Sequence, residues 1–353
     1  MEKILVLLMV VVTLVSLFAG CGSTPAAPTA AEETTRPRFT FPPMEVTEEV
    51  TEPYDPTAYV MEENIYYVGP TREHKSLTKL FLELKDHYAK KIIYVDEGVY
   101  DMFKEYKDAG IPSPPDDVSS PDYFTYNAFL PPNTALIGVG NVRLEFNPSA
   151  DEITYGESRT WSPLNVLGEC YIENLEIFCK NGRYCIHDDS HNKYQGSTHY
   201  YKNVRSIYEY SDVDSQGRRL GFNNTIGNGI AQGTRFVFED CLFEFRGSEK
   251  NSAFYTHESG SEPGANPSLT FKNCTFLGGA GNPRTVRLQN LATVDVRVVT
   301  TFENCTIEGG IYLTIYKETS AQHFDVTLIN SGNPPQMIDD IANNRYPIKV
   351  QEN

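Results

Sequence analysis

Apolar positions along the chain fall into three successive regimes. An apolar block runs from Ile4 to Phe18, interrupted only by Thr13 and Ser16. From Gly22 to Thr57 no period is present: Thr, Pro, Ala and Glu dominate, and Pro25, Pro28, Pro37, Pro42, Pro43, Pro53 and Pro56 are scattered through it. Periodicity begins near Val60. Asn64 to Gly69 predicts a short strand, and Ser76 to Lys90 carries Leu77, Leu80, Phe81, Leu84 and Tyr88 near helical spacing, which predicts one amphipathic helix. Lys91 to Tyr100 is a β-branched run ending in a glycine turn, and Leu130 to Leu144 reads as further strand.

Downstream the pattern repeats. Tyr171-Ile172-Glu173-Asn174-Leu175-Glu176-Ile177 returns around Asn203, Asp240, Asn273 and Asn304, each time as a strand, a charged residue, Asn or Asp, and a second short strand. The polar residue belongs where the chain bends, because Asn tolerates the left-handed conformation, and stacked Asn side chains can share hydrogen bonds from copy to copy. The Asn-x-Thr sequons at Asn273 and Asn304 fall on this position and are read as bends, not glycan sites. The copies lie farther apart than a bare coil requires, so loops are expected within each turn.

One strand, one helix and then stacked short strands resemble the N-terminal cap and coils of the pectin lyase-like superfamily. That resemblance, from about Ile65 to Ile329, implies an all-β fold, a right-handed parallel β-helix (solenoid) with an N-terminal capping helix. The chain then divides into a signal at 1–21, a disordered Thr/Pro/Glu-rich tether at 22–59, the β-helix domain at 60–345 and a C-terminal tail at 346–353. A glycosylated stalk is the other reading of the tether.

The first apolar block is shorter than the roughly 20 residues a membrane span needs, so it reads as an export signal. Its end, Phe18-Ala19-Gly20-Cys21, resembles the bacterial lipobox, departing at Phe18 where that pattern usually has Leu. The resemblance implies a bacterial lipoprotein whose Cys21 is diacylated and becomes the mature N-terminus, anchored to the cell membrane on its extracytoplasmic side. An ordinary secretory signal that happens to contain a cysteine is the alternative.

Composition narrows the partners. With 30 Lys plus Arg against 47 Asp plus Glu, the net charge of -17 is the wrong sign for a nucleic-acid surface. Hydrophobic residues at 40% and aromatics at 12% suffice to order most of the chain. Cys241, Cys274 and Cys305 share one repeat position with Leu175 and Val204, so they are expected inside the coil as small hydrophobes. Cys170, Cys179 and Cys185 leave a disulfide open, with no pairing determined. A structural zinc site would need paired Cys or His at close spacing and no C-x2-C occurs, so no metal site is assigned. Asp212-Val213-Asp214-Ser215-Gln216-Gly217 begins like a Ca2+ loop but lacks its later ligands, so it reads as a polar turn. No cofactor follows from any motif; Ca2+ alone stays open.

Candidate chemistry concentrates where Asn181 to His191 ends in two imidazoles and two carboxylates. With Tyr184 and Ile186 inward, alternation points Arg183, Cys185, His187 and Asp189 outward. One copy later His257 and Glu258 end a strand, and beyond them Arg287 and Gln289 project outward. The candidate catalytic set is therefore His187, Asp188, Asp189, His257, Glu258 and Arg287, since His beside a carboxylate can be tuned for proton transfer. Arg183, Asn228, Gln232 and Gln289 are the candidate substrate-binding residues, with glycines beside Asn228 allowing close approach. A bland reading sits beside this one: the carboxylates solvate a turn and His187 caps a coil.

Such a face suits polysaccharide, whose hydroxyls need paired polar partners and whose ring faces need aromatic ones. The superfamily resemblance implies a lyase or glycoside hydrolase. Its motifs are incomplete here: only Asp188-Asp189 remains of the polygalacturonase set, and Pro283-Arg284-Thr285-Val286-Arg287 lacks the pectate lyase spacing. A non-catalytic surface lipoprotein binding glycan or another envelope component is the alternative. The lipobox reading predicts that mass spectrometry of the mature protein finds an N-terminal Cys21 bearing lipid; a different first residue, or a bare Cys21, refutes it.

Overall fold

Strands of the repeat pair with the equivalent strand of the next copy, in parallel, and not with their neighbours in sequence. The chain therefore winds as a coil. The computed structural model describes residues 60–117, 124–189, 196–230, 233–247, 251–258, 266–279, 282–290, 296–315, 322–338 and 348–351. Cys21 and the tether lie outside these residues.

The opening turns hold β1 (Ile65–Val68), helix α1 (Leu77–Leu84), β2 (Lys91–Asp101), helix α2 (Met102–Asp108) and β3 (Thr134–Phe146). Helix α3 (Tyr155–Thr160) precedes β4 (Leu164–Val166). Next come β5 (Cys170–Cys179) with β6 (Tyr184–Asp189), and β7 (Thr198–Glu209) with β8 (Asn224–Ile230). Three turns of three strands follow: β9 (Arg235–Glu239), β10 (Leu242–Arg246) and β11 (Phe254–Glu258); β12 (Ser268–Lys272), β13 (Thr275–Leu277) and β14 (Val286–Asn290); β15 (Val296–Glu303), β16 (Thr306–Glu308) and β17 (Ile311–Ile315). The last strands are β18 (Gln322–Ile329), β19 (Gln336–Ile338) and β20 (Lys349–Gln351). Sheet A runs β1-β2-β3-β5-β7-β9-β12-β15-β18-β20, with β10, β13 and β16 stacked beside it; sheet B runs β4-β6-β8-β11-β14-β17-β19. This is the expected parallel β-helix.

Ser76 caps α1 by accepting from Lys79 N at 3.2 Å, and Leu77, Leu80, Phe81 and Leu84 bury into the same core as Val68 and Ile93. The helix is shorter than expected. Asn133 Nδ2 donates to the Tyr88 carbonyl at 2.7 Å, which holds that carbonyl outside any helix, and Tyr88 is 48% exposed. At the other end, ordered structure reaches into the stretch expected as a tail. Lys349–Gln351 pairs along β18, and Asn330 N donates to Gln351 O at 2.9 Å, so the last coil's backbone groups gain partners.

The corner of each coil is a left-handed residue. Asn174, Asn203, Asp240, Asn273, Asn304 and Asn330 have φ between 49° and 57°. Their side chains form a ladder: Asn203 Nδ2 donates to Asn174 Oδ1 at 2.8 Å, Asn273 to Asp240 at 3.1 Å and Asn330 to Asn304 at 3.2 Å. Asn330 is a sixth copy, less visible in sequence because Ser331 follows it where the other copies carry a hydrophobe or cysteine. Just before the corner, Glu173, Lys202, Glu239, Lys272 and Glu303 lie side by side in register with alternating sign, a favourable cross-strand order.

Just after the corner the side chain turns inward. Cys241, Cys274 and Cys305 are all buried, and the Cys274 thiol donates to Lys272 O at 3.3 Å. Burial raises the Cys274 thiol well above its ordinary range. Cys170, Cys179 and Cys185 are likewise buried free thiols. Through the core runs a stack of rings, Tyr201 on Phe238 at 4.9 Å, Phe238 on Phe271 at 5.0 Å and Phe271 on Phe302 at 4.8 Å. Phe254 from sheet B meets Phe271 edge-on at 4.9 Å. These contacts sum through area and packing, and each ring is held by coils on both sides.

Replacing Asn273 by Ala should cost about 2–3 kcal/mol, combining about 1–2 for a side chain with a Cβ in the left-handed region with about 1 for the lost ladder bond. Asn273→Gly should recover most of the backbone part. Urea midpoints of the two variants check this; equal losses would contradict it.

Candidate functional site

The outer face of sheet B carries several of the candidate residues, and β6 sets their geometry. Asn181, at φ 61°, turns the chain into β6, and Tyr208 OH donates to Gly182 O at 2.6 Å to hold that corner. The corner breaks simple alternation. Cys185 and Ile186 both lie in the core, and the Cys185 thiol donates to Ile207 O at 3.1 Å. Tyr184, expected inward, instead lies on the outer face, where it stacks on His187 at 5.7 Å and on Phe222 at 5.3 Å. Cys185, expected outward, is correspondingly a core residue. A corner consumes one residue of the period-two pattern, so parity counted along the sequence fails across it.

From Ile186 onward the expected parity holds. His187 faces outward but is covered, at 2% exposure, and its Nε2 lies 4.0 Å from Asp189 Oδ2, too long for a hydrogen bond. Asp189 is 40% exposed. Asp188 points into the coil and is fully buried. Since the His187 ring is packed, removing it would cost stability as well as any function.

Register brings distant residues into columns. His187 pairs with Gly227, Gly227 with Tyr255, Tyr255 with Arg287 and Arg287 with Tyr312. His187 and Arg287 are thus three strand spacings apart, about 14 Å at roughly 4.8 Å per step. In the next register row Asp189 pairs with Gly229 and Gly229 with His257, whereas Glu258, expected with them, pairs with the core residue Ile230 and so falls in a different row. Gln289 belongs to the face beside Arg287 and accepts from Tyr255 OH at 2.6 Å. Asn228 does not reach the face. It is fully buried, accepts from Thr256 Oγ1 at 3.1 Å and lies opposite Asp188. Gln232 lies outside the described residues.

Arg287 and Arg183, both expected on this face, are joined there by half-buried rings and by Arg284 and Arg159, which the sequence does not single out. Arg287 lies 5.0 Å over Tyr255 and 5.9 Å over Tyr312; Arg284 lies 4.9 Å over Tyr312. Arg183 lies 5.1 Å over Phe222, and Arg159, delivered by α3, lies 3.5 Å over the same ring. Thr154 and Glu157 cap α3 reciprocally, which fixes where Arg159 leaves it. Burial, reinforced by neighbouring Tyr184 and opposed by Arg287, pushes the Tyr255 phenol up to about 12, so it stays a neutral donor. Burial lowers the Arg159 guanidinium from its ordinary range. A signal for this surface existed in Gly227-Asn228-Gly229: two glycines on one side of a strand leave space that rings from neighbouring strands fill.

The candidate Ca2+ loop is a turn closed on itself. Asp214 accepts from Gln216 N, Arg218 N and Arg218 Nε at 2.7–2.9 Å, and Asp212 accepts from Asn181 Nδ2 at 3.0 Å. Its carboxylates are thus engaged by cationic and amide donors.

No family model and no curated protein matches the sequence. Among solved structures the chain is similar to pectin methylesterase from Aspergillus niger, at 11% identity and a TM-score of 0.38, covering 83% of this chain and 86% of that one. It is similar also to pectin methylesterase PemA from Erwinia chrysanthemi, at 10% identity and a TM-score of 0.35, covering 82% and 89%. The fold assignment rests on the strand register itself, and no residue role is carried across.

A Cβ at position 227 would sit 2.1 Å from the Tyr184 ring. Gly227→Ala should therefore cost about 1–3 kcal/mol by overpacking, and adding Tyr184→Ala should relieve much of that cost. A double-mutant cycle read by thermal melts checks the coupling; additive losses would show that the ring does not occupy this space.

Proposed function

We propose that the protein is an exported, lipid-anchored surface protein that acts on polysaccharide, with the outer face of sheet B receiving a chain that carries acidic groups. The observation that carries this reading is the row Tyr255, Arg287, Tyr312 and Arg284, with Arg183 and Arg159 gathered over Phe222, in a protein whose net charge is -17. Rings offer flat apolar faces to sugars, and guanidiniums offer fork-shaped donors to carboxylate or sulfate. The Arg287 Nε is buried without a hydrogen-bond partner, a donor that an anionic ligand would satisfy.

A net charge of -17 by itself disfavours an acidic substrate, but the guanidiniums of this face reverse the local sign. Opposite charge at the contact outweighs like charge farther away, because surface fields decay over about 8 Å at physiological salt. Asp189, half-exposed at the end of β6, supplies a candidate acid or base group for bond cleavage. Binding without cleavage is the second reading, favoured by the 4.0 Å gap between His187 and Asp189.

The test uses the mature protein against neutral and acidic polysaccharides, reading retention, new reducing ends and the absorbance of unsaturated uronates. Acidic chains should be retained over neutral ones, and Arg287→Ala should weaken that retention by about tenfold, or about 1.4 kcal/mol. Equal retention of neutral and acidic chains, or an unaffected variant, overturns the assignment of this face.

A further inference from the structure

Inside the coil, behind the outer face, three polar residues form a connected line. Asp188 is fully buried; its Oδ2 accepts from His199 Nδ1 at 3.0 Å, while its Oδ1, 2.9 Å from the same nitrogen, has no hydrogen-bond partner. His199 Nε2 lies 2.9 Å from Ser197 Oγ. Tyr201 OH also donates to Asp188. When His199 Nδ1 donates to the Asp188 carboxylate, Nε2 is left as acceptor for the serine hydroxyl. This is the connectivity that activates a serine: carboxylate to Nδ1, Nε2 to Oγ.

Neighbouring coils show that the fold does not require these groups. At the level of His199 they place Cys170 and Phe236, and at the level of Asp188 they place Val166 and Asn228. Val166 fills the Asp188 position without charge. A buried carboxylate costs several kcal/mol in desolvation that such an apolar residue avoids. The line also leads outward. Ser197 precedes β7 at the edge of the coil and is 9% exposed, whereas His199 and Asp188 are sealed behind it. A ring of Phe236 packs on the imidazole at 4.8 Å and fixes its plane.

We propose that Ser197 is a nucleophile and His199 its general base, with Asp188 as the positioning residue, and that they hydrolyse esters of small acyl groups. Ser197 Oγ attacks the ester carbonyl carbon while its proton passes to His199 Nε2. The adduct collapses, the bond to the alcohol oxygen breaks, and that oxygen leaves with the proton from Nε2. Water then adds to the acyl-serine with His199 as base, the carboxylic acid departs, and Ser197 regains its proton. The slight exposure of Ser197 restricts the substrate to a short acyl chain such as acetyl.

The test is covalent labelling of the full mature protein by a small fluorophosphonate, with mass spectrometry of the peptide containing Ser197, alongside hydrolysis of p-nitrophenyl acetate. The native protein should gain one adduct on Ser197, and Ser197→Ala should lose both the adduct and the hydrolysis while still folding by circular dichroism. His199→Gln, which keeps a polar side chain of similar reach but no base, should slow labelling by about 100-fold or more. A native protein without an adduct on Ser197 overturns the proposal even if His199→Gln fails to fold, and so does equal labelling of a folded His199→Gln. The reagent needs no polysaccharide, so failure here is distinguishable from failure of the glycan reading.

Discussion

A residue in the left-handed conformation at one corner of every coil is the constraint on which this protein depends. Without it the strand before the corner would run straight, and the chain could not return to lie on the previous coil. For a residue with a Cβ that conformation costs about 1–2 kcal/mol, which Asn reduces by local hydrogen bonding and, here, by bonding to the Asn of the next coil. The corner also fixes register. Once Asn203 lies beside Asn174, Lys202 must lie beside Glu173 and Val204 beside Leu175, so charge order outside and ring stacking inside follow from one alignment.

Register of this kind turns a sequence of scattered copies into surfaces. Tyr255, Arg287 and Tyr312 are far apart along the chain and adjacent on sheet B, because each coil advances by one strand spacing. It also separates two chemistries by one residue. His187 and Asp189 face outward and Asp188 inward, so one short strand serves the outer face and the buried His199 partner together. Glycine at 227 matters for the same reason: the space it leaves on the outer face is occupied by a ring from the strand beside it.

Charge shows how little a whole-chain quantity says about a site. The protein is acidic overall, yet the sheet B face gathers Arg159, Arg183, Arg284 and Arg287 around aromatic rings. Guanidiniums stacked on rings lose less hydration than ammonium groups would and keep their donors in the ring plane for a ligand. The corresponding lysine face would be a set of mobile point charges.

Much of the fold was legible in the sequence because it is local and repeated: strand, charge, Asn, hydrophobe states its own corner, its inward cysteines and its stacking partner. The polar cluster ending β6 was legible as well, and from Ile186 onward so was the direction of its side chains. The reversed roles of Tyr184 and Cys185, the shorter α1, the rings over which Arg183 and Arg287 lie, and the line that joins Asp188 to His199 and Ser197 were not. Each depends on where a corner falls in space or on which strand comes to lie beside another. Hydrophobic period reports only whether a residue is inside or outside relative to its immediate neighbours; it carries no information about contacts made across coils, and those contacts exist only once the coil has closed.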